Sequence, residues 1–254
     1  MSDSSMIDRE IPLVSIVIPT YNERKNIELL IPKIIDVFNK NWPGEIIIVD
    51  DNSPDGTGEV ADALAKKYPN IMVIHRKTKS GLGSAYKLGF KRASGKIVME
   101  MDADHSHNPR DIPRLVNAVL KGYDLAIGSR YAGGNIVGWG IYRKMISKGA
   151  NTLAAFILQI NKFTQDVTTG YRAYRAEILN TIDMSAAVRS SGYAFQLEML
   201  VEVIRNRFTV KEVPITFVDR RIGESKLGLK DILGFFLTVL RIRFKRIRLS
   251  TTSP

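Results

Sequence analysis

KIVMEMDADHSHNP, residues 96–109, is the stretch on which the reading of this chain turns. An apolar run from Ile97 to Met101, broken only by Glu100, ends in Asp102-Ala103-Asp104, and His105 to Pro109 are turn-formers. The pattern predicts a buried central strand with both carboxylates on the loop at its carboxyl end, where open α/β sheets bind ligands. Two carboxylates one residue apart can share a hard divalent cation, Mg²⁺ or Mn²⁺, that keeps open positions for the oxygens of a diphosphate. The competing reading is that one Asp caps the helix beginning near Pro109.

On the N-terminal side the same design recurs. LVSIVIPTYNE (13–23) and EIIIVDDNSPDGT (45–57) are apolar strands running into polar loops, and each is followed by residues at helical spacing. Thr57 is placed to cap the helix running to Lys67, IMVIHR (71–76) is a third strand, and SGLGSAYKLGFKRASG (80–95) opens a helix expected to stop at Gly95. Beyond Asp104 come a helix to Lys121 and the strand DLAIGSRY (124–131). Alternation of this kind predicts an α/β fold, a mostly parallel sheet covered by helices on both faces.

Such a sheet first suggests a dinucleotide site, and the glycines argue against it. Gly81-Leu-Gly83-Ser-Ala-Tyr lacks the third glycine and does not follow the first strand, and no Gly-Lys-Ser/Thr closes a P-loop. Three polar loops on one sheet edge stand in their place: Thr20 to Glu23, Asp50 to Asn52 and Asp102 to Asp104. Acids there suit ribose hydroxyls, base donors and a metal, and they repel bare phosphate. A nucleoside diphosphate carried on a divalent ion reconciles them. His105 and His107 flank the acids without catalytic-zinc spacing and read as loop residues.

Composition narrows the setting. The chain of 254 residues has no cysteine, which excludes disulfides and thiolate metal sites. Its net charge of +11 calls for an anionic partner: nucleic acid, a phosphorylated substrate or an acidic membrane surface. Residues 1–10 read as a polar, disordered tail, and residues 149–161 and the apolar run up to Arg241 are too short to span a bilayer. In residues 231–254, Leu233, Leu237, Leu240, Phe244 and Ile247 recur at helical spacing beside Arg241, Lys245 and Arg248. That reads as an amphipathic basic helix lying in the plane of an anionic membrane, or as a helix packed on the domain.

The motifs IPTYNE (18–23), VDDNSPDGT (49–57), GLGSAYKLGF (81–90), MDADHSHNP (101–109) and GSRYAGG (128–134) continue with ISKGAN (146–151) and DVTTGYRAYR (166–175). GYAFQLEM (192–199) and EVPITFVDRRIGESKLG (212–228) complete the series. In this order they resemble the dolichyl-phosphate β-mannosyltransferases, within the large inverting glycosyltransferase family of GT-A, Rossmann-like fold. The match covers about residues 12 to 230, placing a catalytic domain at 11–230.

The resemblance implies GDP-mannose as donor and dolichyl or another polyprenyl phosphate as acceptor. Pro19, Tyr21, Glu23, Val49 and Asp51 would surround guanosine, and Asp102, Ala103 and Asp104 would hold the metal and diphosphate. Arg130, Arg143 and Ser147 match positions assigned to the acceptor phosphate, and Arg220 and Lys226 match a loop that closes over the donor. Asp102, Asp104 and Arg130 are thereby the expected catalytic residues. A peripheral enzyme on the cytoplasmic side of a membrane follows, with or without a small membrane protein partner. Two rival readings stay open: a polyprenyl-phosphate glucosyltransferase using a UDP-sugar, and a nucleic-acid-binding protein driven by charge. The second is weakened because the densest basic cluster is confined to the tail without interleaved stacking aromatics.

Overall fold

The computed structural model describes residues 14–190, 192, 194–220 and 229–250. In chain order it contains β1 (Val14–Thr20), α1 (Arg24–Asn41), β2 (Gly44–Asp50), α2 (Thr57–Lys67), β3 (Ile71–His75), α3 (Leu82–Phe90) and β4 (Ile97–Glu100). A 3-10 turn, Pro109–Asp111, leads into α4 (Ile112–Leu120), followed by β5 (Leu125–Ser129), β6 (Asn135–Val137), α5 (Ile141–Ile157) and β7 (Arg172–Arg175). Then come α6 (Ala176–Thr181), α7 (Met184–Ala187), α8 (Ala194–Arg205), β8 (Val210–Pro214), β9 (Thr216–Val218) and α9 (Leu229–Ser250).

β1 and β2 consist of β-branched residues with few breaks because both faces of the sheet are covered. Ile16, Ile18, Ile46 and Ile48 enter one core with Ile27, Leu30 and Ile34 of α1. Val17, Ile47 and Val49, pointing the other way, enter a second core with Tyr86, Phe90 and Phe195. The period of two along each strand is thus satisfied by a helix layer on either side. Gly89 lets α3 lie close on β1, since a Cβ there would sit 2.2 Å from Val17 Cγ1.

The main sheet has the order β3-β2-β1-β4-β7-β5-β8, and β7 alone runs antiparallel to its neighbours β4 and β5. The chain winds outward from β1 to β3 and then returns to place β4 on the other side of β1. The switch point therefore lies between the carboxyl ends of β1 and β4, and the loop carrying Asp102 and Asp104 leaves it there. A second, two-stranded sheet pairs β6 with β9 in parallel.

Several local expectations change. α3 ends at Phe90, five residues before Gly95. The Thr57 hydroxyl does not cap its own helix: it donates to Asp55 and accepts from the Glu23 amide, while the Thr57 amide donates to Asp55. The helical turn after the acidic loop is capped by Asn108, whose side chain accepts from the Arg110 amide, so neither Asp102 nor Asp104 is spent on that task.

α9 has two apolar faces. Phe235, Val239 and Ile242 are buried in the core that α8 also feeds, whereas Leu233, Leu237, Leu240 and Phe244 are exposed. Arg241 pairs with Glu198 of α8, so one cation of the expected basic face is engaged on the domain. α5 carries a comparable outward row, Ile141, Tyr142, Met145, Ile146, Leu153 and Phe156. Among the described residues no helix is long and apolar enough to cross a membrane. The tail expected at residues 1–10, Lys226, and the side chains of Lys245, Ile247 and Arg248 lie outside the described residues.

Candidate active site

The carboxylate side of the site is one loop. β4 delivers Asp102, and the Met101 amide still bonds to the Val17 carbonyl, which fixes the loop against β1. Asp102 keeps about a third of its side chain open (34%), and its Oδ1 accepts from the Tyr86 hydroxyl of α3 at 3.2 Å. Asp104 folds back to accept from the Ser106 amide, and its Oδ2 lies 2.9 Å from Arg220 Nη2. Arg220 arrives there because β9 is tied to the loop, the Val218 amide donating to the Ser106 carbonyl. His107 is a buried part of this frame: its ring stacks on Tyr171 with centroids 4.6 Å apart, and its Nδ1 accepts from the Asp102 amide.

The guanidinium side is assembled from distant segments. Arg130, at the end of β5, points its fork at Asp166, with Nε and Nη2 each 2.7 Å from a carboxylate oxygen, and Nη2 also donates to Thr168. Both partners are nearly dry, at 8% and 0% exposure. Arg143 of α5 lies 4.2 Å above the Trp139 ring and 3.1 Å from Asp219, which also accepts from the indole N–H. The Arg130 guanidinium lies 5.8 Å from that same indole and 5.2 Å from the Tyr131 ring, whose hydroxyl donates to Ser147 of α5. The structure therefore brings Arg130, Arg143 and Ser147 together around Trp139 and Tyr131. Asp219 and Arg220, adjacent in sequence, join this cluster to Asp104.

The remaining candidates line the ends of β1 and β2, where Pro19 is in register with Val49 and Thr20 with Asp50. Glu23 is buried, with Oε2 accepting from Asn26. Asp51 lies 2.6 Å from Arg76 and accepts from the amides of Ser80 and Gly81, so the glycine-rich turn is pinned to this edge. Burial still leaves the Asp51 carboxyl above its ordinary range. Tyr21 is covered by Lys79, whose ammonium stands 3.9 Å from the ring centroid.

With this geometry in place, comparison with known proteins is decisive for the family. Residues 15–183 match the family described as glycosyl transferase family 2. The chain belongs to that family. It is 46% identical over 222 residues to the polyprenol monophosphomannose synthase of Mycolicibacterium smegmatis, covering 85% of this chain and 82% of that one. It is 44% identical over 216 residues to the undecaprenyl-phosphate mannosyltransferase of Micrococcus luteus, covering 84% and 86%. Mannosyl-3-phosphoglycerate synthase from Rubrobacter xylanophilus shares the fold at 18% identity, with a TM-score of 0.68 over 95% of this chain and 76% of that one. So does glucosyl-3-phosphoglycerate synthase from Mycobacterium tuberculosis, solved with Mn²⁺, UDP-glucose and phosphoglyceric acid, at 20% identity and a TM-score of 0.69 over 91% and 80%. The protein is a glycosyltransferase, and its mostly parallel, helix-covered sheet is the expected GT-A arrangement.

In this glycosyltransferase the acidic loop is electrostatically divided. Burial, then the neighbouring Asp104 charge, pushes Asp102 up to about 7. Burial also works against Asp104, but hydrogen bonding from Ser106 and the Arg220 charge outweigh it and hold that carboxyl below its ordinary range. The charge of Asp104 is thus already compensated by its neighbours, and Asp102 is the carboxyl whose ionised form is poorly supported. Among the described residues no three His, Cys, Asp or Glu side chains converge. A cation here could draw on two carboxylates, an all-oxygen donor set that suits a hard divalent ion better than zinc. His107, lowered to about 4 by burial, is a neutral imidazole and serves as a prop.

Sequence reasoning missed Tyr86, Asp166, Trp139 and Asp219. Tyr86, Asp166 and Asp219 stand inside quoted motifs, so the signal was present; their partners were not visible. Tyr86 stays protonated because burial raises its hydroxyl well above the ordinary value, which keeps it a donor to Asp102.

Proposed function

We propose that the protein transfers mannose from GDP-mannose to a polyprenyl phosphate, dolichyl phosphate or a relative, giving the β-linked lipid phosphosugar and GDP. One observation carries the reading. Arg143 and Ser147, neighbours of Arg130, stand on α5 among the exposed Tyr142, Met145 and Ile146, so cations suited to a phosphate border an apolar surface suited to a lipid chain. The names of the two relatives, which couple mannose with polyprenol and undecaprenyl phosphate, support the same acceptor class.

The chain's own residues have a limited task. A phosphomonoester with second pKa near 6 is mostly dianionic at neutral pH and needs no strong general base. Arg130, Arg143 and Ser147 would hold that oxygen opposite the sugar-diphosphate bond, and direct displacement would invert an α-linked donor. Pro19, Tyr21, Glu23, Val49 and Asp51 would form the guanosine pocket, with Arg220 and Lys226 closing on the donor. Asp102 and Asp104, with the Ala103 backbone, would hold Mg²⁺ or Mn²⁺, which supplies charge to stabilise the departing diphosphate. The Mn²⁺ and nucleotide sugar in the Mycobacterium tuberculosis structure support a divalent ion in this role. The outward faces of α5 and α9 would rest on the cytoplasmic surface of an anionic membrane, where a soluble nucleotide sugar meets the lipid headgroup.

A radiolabelled transfer assay tests this with GDP-mannose, UDP-glucose and other nucleotide sugars, a short-chain polyprenyl phosphate, and added Mg²⁺ or Mn²⁺. Mannosyl lipid from GDP-mannose, stopped by chelator and restored by metal, is expected. Preference for UDP-glucose would overturn the donor, and product formation in excess chelator would overturn the metal.

A further inference from the structure

A cavity of about 440 Å³ lies where the turn after α5 meets the end of α8 and the middle of α9. Its volume is in the range of small-molecule sites. Leu158, Ile160, Val201 and Ile242, all buried, form its apolar floor, with Ile204 half-buried beside them. Its rim carries Lys162, Arg205, Arg207 and Arg243. Among the described lining residues there is no acid. Glu202, one turn before the rim, holds Arg205 at 2.8 Å and balances one of the four charges. Both connecting turns bend through non-glycine residues in the left-handed region, Gln159 at φ 59° and Arg207 at φ 63°. Such backbone persists where the surrounding structure enforces it, and it clusters at ligand sites.

A cationic rim over an apolar floor selects a ligand. Inorganic phosphate would leave the floor facing water, and a neutral lipid would leave the cations without a counter-charge. An anion attached to a hydrocarbon chain satisfies both. The position is consistent: Phe163 lines the cavity and is exposed, and on α9 the exposed Leu240 and Phe244 flank Ile242 and Arg243. The cavity is also separate from the proposed acceptor site. Leu158 follows Ser147 by eleven residues on α5, about 16 Å along the helix axis.

We infer that this cavity binds one anionic phospholipid of the membrane, its phosphate on the Lys162, Arg207 and Arg243 rim and part of one acyl chain on the floor. The site fixes how the enzyme sits on the bilayer, and it is independent of which sugar is transferred.

The test uses the full chain in mild detergent, with retained lipid counted by native mass spectrometry. Dioleoyl phosphatidylglycerol should bind one to one, at least tenfold more tightly than dioleoyl phosphatidylcholine, and glycerol 1-phosphate should not displace it. Lys162→Gln with Arg207→Gln, both on exposed positions, should weaken retention at least tenfold without shifting the melting temperature. Ile204→Trp, which fills the cavity and leaves the cations, should weaken it as well. Equal retention of the two phospholipids, or unchanged retention in the double variant, would overturn the site. Unchanged retention in Ile204→Trp would reduce it to surface charge, and tighter binding of farnesyl phosphate than of dioleoyl phosphatidylglycerol would assign the cavity to the acceptor; either result contradicts the inference.

Discussion

The carboxylate side and the guanidinium side of the site are built on opposite plans. Asp102 and Asp104 come from three consecutive residues at one strand end, and Asp102 remains partly open. Arg130, Arg143 and Arg220 come from β5, α5 and the segment after β9, and each faces an internal acid: Asp166, Asp219 and Asp104. The acidic pair is a local product of the fold: Asp104 is matched by Arg220, and on the proposed reading the two carboxylates would also hold an external cation. The three guanidinium groups are held by acids, which fixes their planes and tempers their charge. On the proposed reading an incoming phosphate would compete for donors already in place instead of ordering flexible side chains.

The Arg130–Asp166 pair is the point at which this contrast is most easily broken. Removing one partner of a buried ion pair leaves the other charge uncompensated, at about 3–5 kcal/mol. Asp166→Asn should therefore lower unfolding stability by about that amount in urea titrations. The pH dependence has a definite sign. Asp166 is held below its ordinary 3.8, because Arg130 and the hydrogen bonds it receives outweigh burial. Its contribution is thus present above that value and lost as pH falls further. The parent protein should lose stability below about pH 4, and the Asn variant should lose less there. A variant as stable as the parent would show that Asp166 does not hold Arg130.

On the carboxylate side, Asp104→Asn is nearly isosteric and should still fold, with some stability lost from the Arg220 pair, while slowing transfer by two to three orders of magnitude, about 3–4 kcal/mol of barrier. Single-turnover rates at saturating metal check it, and near-normal turnover would remove Asp104 from the site. Arg143→Ala should have the smallest effect. Its ion pair with Asp219 is 47% and 35% exposed, so stability should change by less than about 1 kcal/mol. The acceptor KM should rise by about tenfold or less, the value of one partly screened charge-assisted bond. A rise in the donor KM alone would place Arg143 on the wrong side.

The same contrast explains what was legible in the sequence. Strands β1, β2 and β4 announce themselves through unbroken apolar runs, and their polar ends mark one edge of the sheet. β7 does not: its four residues include Arg172, a charged side chain in the middle of the sheet that is fully buried, donating to the carbonyls of Gln196 and Val167. An antiparallel strand inserted between β4 and β5 leaves no alternation to detect over four residues. The guanidinium positions were reached through motif resemblance, whereas the acids that hold them are pairings over long sequence separation. In α9 the outward row Leu233, Leu237, Leu240 and Phe244 was visible at helical spacing. The inward row Phe235, Val239 and Ile242 was hidden, because a helix with two apolar faces has no single period to follow.

On the proposed reading the two sides serve different substrates and meet at the switch point between β1 and β4. Calorimetric titration of the Asp104→Asn and Arg143→Ala proteins with each ligand separately, GDP-mannose with Mn²⁺ and a short-chain polyprenyl phosphate, distinguishes the two sides. Asp104→Asn should weaken metal-dependent donor binding and leave acceptor binding unchanged, and Arg143→Ala should do the reverse. Loss of the same ligand in both variants, or acceptor binding that follows Asp104, would show that the two sides do not serve separate substrates.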